Sequence, residues 1–127
     1  MLGIFGKKKE KEDEQIKKPT PLEELCGNNK ETYEALFSVM FLDPRKIEVS
    51  MKEAAENAKK NEKEKNFAAA RMWYEVAGGL AMYEGNVKKV IEYYGKAEKI
   101  TGQPYLILKD PENAVDKAQE YYKKYLS

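Results

Sequence analysis

AAENAKKNEKEKNFAAARMWYEVAGGLAMYEGNVKKVIEYYGKAEKI, residues 54–100, is the stretch on which the fold turns. In its middle, Phe67, Ala70, Trp73, Tyr74, Val76, Ala77, Leu80, Ala81 and Tyr83 spread apolar character over far more than one helical stripe. A helix apolar over so wide an arc is packed from two sides. The same segment carries Gly78-Gly79, each glycine costing about 1 kcal/mol relative to alanine inside a helix. Close approach of a neighbouring helix offsets that cost, so a tight contact is expected at both glycines. Lys65-Asn66 and Gly85-Asn86 punctuate the stretch, which predicts a central helix over 67–84 between two others.

The spacing within this stretch resembles a tetratricopeptide repeat, which pairs antiparallel helices through a large residue followed by small ones three and four places on. Tyr74, Ala77, Gly78 and Ala81 stand at the first-helix spacings, and Val90, Tyr94 and Ala97 at those of the second. A second frame fits one helix earlier, with Ala54 and Ala58 before the turn and Phe67, Ala70, Tyr74, Ala77 and Leu80 after it. Val90 replaces a usual alanine, Ala81 a usual aromatic, and Gly102 lies near a usual proline. The pattern is also similar to the soluble attachment proteins of vesicle fusion and to the helical modules of microtubule-interacting and trafficking proteins. An ordinary antiparallel bundle has the same core. The resemblance implies an all-α antiparallel array of about five helices that binds a peptide or helix in a groove.

Outward from the centre, Thr20-Pro21 with Glu23 reads as a capping box opening a short helix, which Gly27-Asn28-Asn29 interrupts. A further helix is expected over residues 30–42, burying Tyr33, Leu36, Phe37, Met40 and Phe41. Asp43-Pro44 is a start signal, predicting a helix to about Glu64 with Glu48/Lys52 and Glu56/Lys60 as outward pairs. Residues 87–100 form the next helix, ended by Thr101-Gly102. Tyr105–Leu108 reads as a buried connector, and Asp110-Pro111 launches a last helix with Ala114, Val115, Ala118, Tyr122 and Tyr125 inward.

Residues 1–19 are almost uniformly charged after the first six and are expected to be a flexible tail, leaving residues 20–127 as a single helical domain. With 23 basic and 22 acidic residues, the net charge of +1 offers no field for nucleic acid. The chain has no histidine and a single cysteine, Cys26, and no phosphate loop or metal-ligand spacing. Neither catalysis nor a cofactor or metal is expected, and the lone cysteine suits a cytoplasmic protein. Two classes of function remain. In the first, a protein-binding module reads its partner with Trp73, Tyr93 and Tyr121, each one residue before an aromatic assigned to the core and so turned to its edge. In the second, Leu2, Ile4 and Phe5 with Lys7-Lys8-Lys9 make weak contact with an anionic membrane.

Overall fold

In the computed structural model, residues 20–40 and 42–126 are described; the expected tail, with Leu2, Ile4 and Phe5, and Phe41 lie outside them. Among the described residues six α-helices and two 3-10 turns follow one another, with no strand. The all-helical array expected from the sequence is the fold observed. Helix α1 is Pro21–Cys26, opened by the capping box: Thr20 accepts from Glu23 N–H while the Glu23 carboxylate accepts from Thr20 N–H. Helix α2 is Lys30–Phe37, capped by Asn29.

Two sequence expectations fail between α2 and the next helix. Helix α2 stops at Phe37 rather than continuing to 42, because the Ser38 hydroxyl turns back to donate to the Ala35 carbonyl at 2.9 Å. Phe37 is not buried but 67% exposed: it stacks on Tyr33 one turn earlier, while Thr32, Ala35 and Leu36 form the buried face. Asp43 does cap a start at Pro44, but only of a 3-10 turn, Pro44–Lys46. β-branched Ile47 and Val49 follow in non-helical backbone, and α3 begins at Ser50, where Glu53 completes a second capping box. Helix α3 is therefore Met51–Lys63, and Glu48 precedes it, so the Glu48/Lys52 helical pair does not form.

Helix α4, Phe67–Tyr83, is the spine, packed along its length by α3 on one flank and by α5, Val87–Thr101, on the other. Residues 64–66 and 84–86 are the only connections, so each reverses the chain and the three helices run antiparallel. The side facing α3 is closed by small residues, Ala54, Ala55 and Ala58. Between α4 and α5, Tyr74, Ala77, Ala81, Val90, Tyr94 and Ala97 are all buried, as their spacing predicts. Tyr74 also spans the layer: its hydroxyl donates to Glu62 of α3 at 2.8 Å, and Lys96 of α5 lies 5.7 Å over its ring. Gly102, in the left-handed conformation, ends α5. The connector Leu106–Lys109 is a 3-10 turn that plugs Ile107 into the core, and α6, Pro111–Tyr125, crosses back over α4 and α5 and covers α1 and α2.

The two glycines of α4 differ. A Cβ built on Gly78 falls 2.5 Å from Cε2 of the buried Tyr94 ring, with two more ring atoms inside 3.0 Å. A Cβ on Gly79 meets nothing within 4 Å, which corrects the expectation of close packing at both. Gly78→Ala is therefore predicted to destabilise by about 1 to 3 kcal/mol through overpacking. Gly79→Ala should stabilise by about 0.5 to 1 kcal/mol through helix propensity. Urea unfolding midpoints of the two variants check this; a shift of the same sign in both refutes it.

Candidate functional site: a tyrosine-lined cleft

The C-terminal ends of α4 and α6 lie together, and tyrosine rings form a continuous chain there. Tyr83 of α4 meets Tyr122 edge-on at 5.1 Å, Tyr122 meets Tyr121 at 6.2 Å, and Tyr121 lies 5.0 Å from Tyr125. The Tyr121–Tyr125 contact follows from helix geometry, since residues four apart on α6 lie on one face. Tyr122 is the buried root; Tyr83 is 39% exposed, and Tyr121 and Tyr125 are half-buried. Tyr83, Gln119, Glu120, Tyr122, Lys123 and Leu126 line an open cleft of about 460 Å³.

The backbone around this cleft is tied down. Carbonyls in the last turn of a helix have no intrahelical partner. The Gln119 amide supplies one for α4, donating to the carbonyls of Met82 at 2.7 Å and Tyr83 at 2.8 Å. Arg45 reaches across from the 44–46 turn, donating to the Leu126 carbonyl at 3.0 Å while holding Asp43 through two further bonds of 3.1 and 2.9 Å. Burial pushes the Tyr122 hydroxyl far above the ordinary tyrosine range, with neighbouring Tyr121 and Tyr83 adding to it, so this ring is neutral at any physiological pH. The Lys124 ammonium lies 5.4 Å over the Tyr125 ring. Amphipathic rings on a fixed backbone make contact area at low entropic cost.

Of the residues expected to read a partner, Tyr121 lies beside this cleft, its ring against Tyr122, without lining it, and the other two are not joined to it. Tyr93 is 5% exposed rather than at the edge of the core: a position 100° from the core's centre is still covered when Lys89, one turn earlier, lies 5.6 Å over the ring. Trp73 is half-buried against the core, as two-sided packing of α4 dictates. Tyr121's ring contacts are Tyr122 and Tyr125, with neither Trp73 nor Tyr93 among them. Sequence reasoning missed Tyr83, which it counted toward the core, and the supports Gln119 and Arg45. The 121/125 spacing was available as a signal, but nothing in the sequence brings residue 83 to residue 122.

A second polar cluster holds the connector. The Tyr105 hydroxyl donates to Glu75 at 2.6 Å, Arg71 lies 3.4 Å from the same oxygen, and Tyr105 N–H donates to Glu98 at 3.0 Å. Burial and the bond to Glu75 push the Tyr105 hydroxyl up to about 12. These bonds run from the 102–109 segment to side chains of α4 and α5, so the cluster fastens that segment to both helices. Among the described residues no group of three or more histidine, cysteine, aspartate or glutamate side chains is placed to hold a metal ion. No helix among them is long and apolar enough to cross a membrane. Compared with known proteins, the chain matches no family model, and neither a curated protein nor a solved structure shows significant similarity to it.

The Arg45 anchor has a titration signature. Hydrogen bonds from the Arg45 side chain and backbone lower Asp43 from 3.8 to about 2. Because the folded value is depressed, the interaction contributes in full above the unfolded value and is lost as pH falls through about 2. Carboxyl chemical shifts should place the Asp43 midpoint near 2, and Arg45→Ala should raise it part of the way to the ordinary aspartate range, the bond from the backbone N–H of residue 45 remaining; an unchanged midpoint would refute the anchor.

Proposed function

We propose that this chain is a non-catalytic protein-binding module, a tetratricopeptide-like helical array acting as an adaptor in the cytoplasm. In this reading it receives a helix or an extended peptide in a groove between helices. The observation that carries the reading is the tyrosine chain at the ends of α4 and α6, open to solvent along a cleft and held on a backbone fixed by Gln119 and Arg45. Tyrosine and arginine are the side chains most often found at the energetic centres of protein interfaces. Short turns at 64–66 and 84–86 support the same reading, since they leave helix faces rather than long loops to form a binding surface. Tyr121 keeps the role the sequence suggested, joined by Tyr83 and Tyr125 in place of Trp73 and Tyr93.

A photo-crosslinking residue at position 121, introduced into the chain in its own cells, should yield discrete protein adducts; the same residue at Glu56, on the exposed charged side of α3, should not. With the captured partner purified, Tyr83→Ala or Tyr121→Ala should weaken its binding by about thirtyfold, the effect of an interface centre worth about 2 kcal/mol. Tyr121→Ala should leave the thermal midpoint nearly unchanged. Equal adducts at both positions, or unaltered binding by both variants, would reject the cleft as the binding surface. Association lost on deleting residues 1–18 alone would transfer the function to Leu2, Ile4 and Phe5 and to a membrane or partner that they contact.

A further inference from the structure

The turns that flank α4 are built to one plan but from different residues. Asn66 N–H donates to the Asn61 carbonyl at 2.8 Å and Asn86 N–H to that of Ala81 at 2.8 Å. Lys65 N–H donates to Glu62 at 3.0 Å and Gly85 N–H to Met82 at 3.0 Å. In each the middle residue is left-handed, with φ 72° at Gly85 and 61° at Lys65. Glycine adopts this conformation freely, whereas a lysine Cβ there crowds the following carbonyl. Lys65 is the one non-glycine residue with positive φ among those described.

The two turns differ again one residue on. The Asn86 side chain accepts from Lys89 N–H at 3.1 Å and caps α5, but Asn66 makes no such bond, and α4 has no acidic residue in its first turn. The first turn thus lacks both the glycine and the cap that secure the second. Straightening residues 64–66 into helix would release the strained lysine and pair the open first N–H groups of α4 with the last carbonyls of α3. What α3 itself buries against α4 is a plain seam: its fully or nearly buried residues are Ala54, Ala55 and Ala58, and Glu62 accepts from the Tyr74 hydroxyl.

We propose that residues 64–66 are an exchange hinge. When it straightens, α3 and α4 run on as one helix, and residues 20–63 of each of two copies pack on helices α4–α6 of the other. Every contact between the two parts is then re-formed between copies, including the alanine seam, Thr32 with Asn113 and Arg45 with the Leu126 carbonyl. The difference between the two forms lies in association and in the hinge itself, which is the condition for domain exchange.

The test is the dimer fraction by size-exclusion chromatography with light scattering, after refolding the full chain at high concentration. Lys65→Gly removes strain from both closed turns that one dimer must open, and should lower the dimerisation constant roughly thirtyfold, the ratio that corresponds to about 1 kcal/mol per turn. The double variant Lys65→Ala/Asn66→Ala favours continuous helix and should raise it, with slow reversion on dilution. Tyr121→Ala, outside the hinge, should leave it unchanged. An order of double alanine above wild type above Lys65→Gly supports the hinge. Any other order, or a monomer throughout, overturns it, and a dimer sensitive to Tyr121→Ala alone is a surface association instead.

Discussion

The contact between Gly78 and the Tyr94 ring sets the distance between α4 and α5. Nothing larger than hydrogen fits on residue 78 without moving an aromatic ring that is itself fully enclosed. That close approach lets the small residues Ala77, Ala81 and Ala97 reach across the interface. It also carries a cost, because the Tyr94 hydroxyl is sealed in the interior without a hydrogen-bond partner among the described residues. Such a group costs about 1 to 3 kcal/mol. The Tyr94 ring also packs at a tilt on Tyr105, their centroids 5.6 Å apart, and Tyr105 in turn bonds Glu75 of α4, tying the 102–109 segment to the spine.

The position of the tyrosine cleft follows from this spine. With α4 fixed against α5, the end of α4 presents the carbonyls of Met82 and Tyr83 to α6, and Gln119 meets them at a fixed height along that helix. Tyr83 and Tyr122 are brought edge to face as a result. The strength of attachment is uneven around α4. Toward α5 and α6 it is held by aromatic rings and bridging side chains, toward α3 by methyl groups and one hydroxyl bond. The tyrosine cleft sits at the strongly held end, and the turn with a strained lysine sits at the other.

The central part of the fold was legible because its signals are local and repeated. Spacing of Tyr74, Ala77, Ala81, Val90, Tyr94 and Ala97 identified a helix pair, and glycine inside a helix signalled a close approach. Those signals could not tell Gly78 from Gly79, which stand 100° apart, because the direction of the neighbouring helix is a tertiary fact. The start at Asp43-Pro44 was real but too weak to carry helix through Ile47 and Val49, and the stronger Ser50–Glu53 box took over. The cleft was half legible. Tyr121 was placed by its position next to Tyr122, but its partner Tyr83 lies on another helix, and Arg45 and Gln119 act on carbonyls, which have no sequence signature.

Native-state hydrogen exchange of the full chain, followed amide by amide, tests the uneven attachment most directly. Amides of α4 and α5 should exchange together and most slowly, at the rate of global unfolding, since neither helix can leave without breaking the Gly78–Tyr94 contact. Amides of α3 should exchange through a separate, easier opening that leaves the rest protected. If α3 were as protected as α4, or if α4 and α5 opened independently of one another, the spine and its weak flank would both be contradicted.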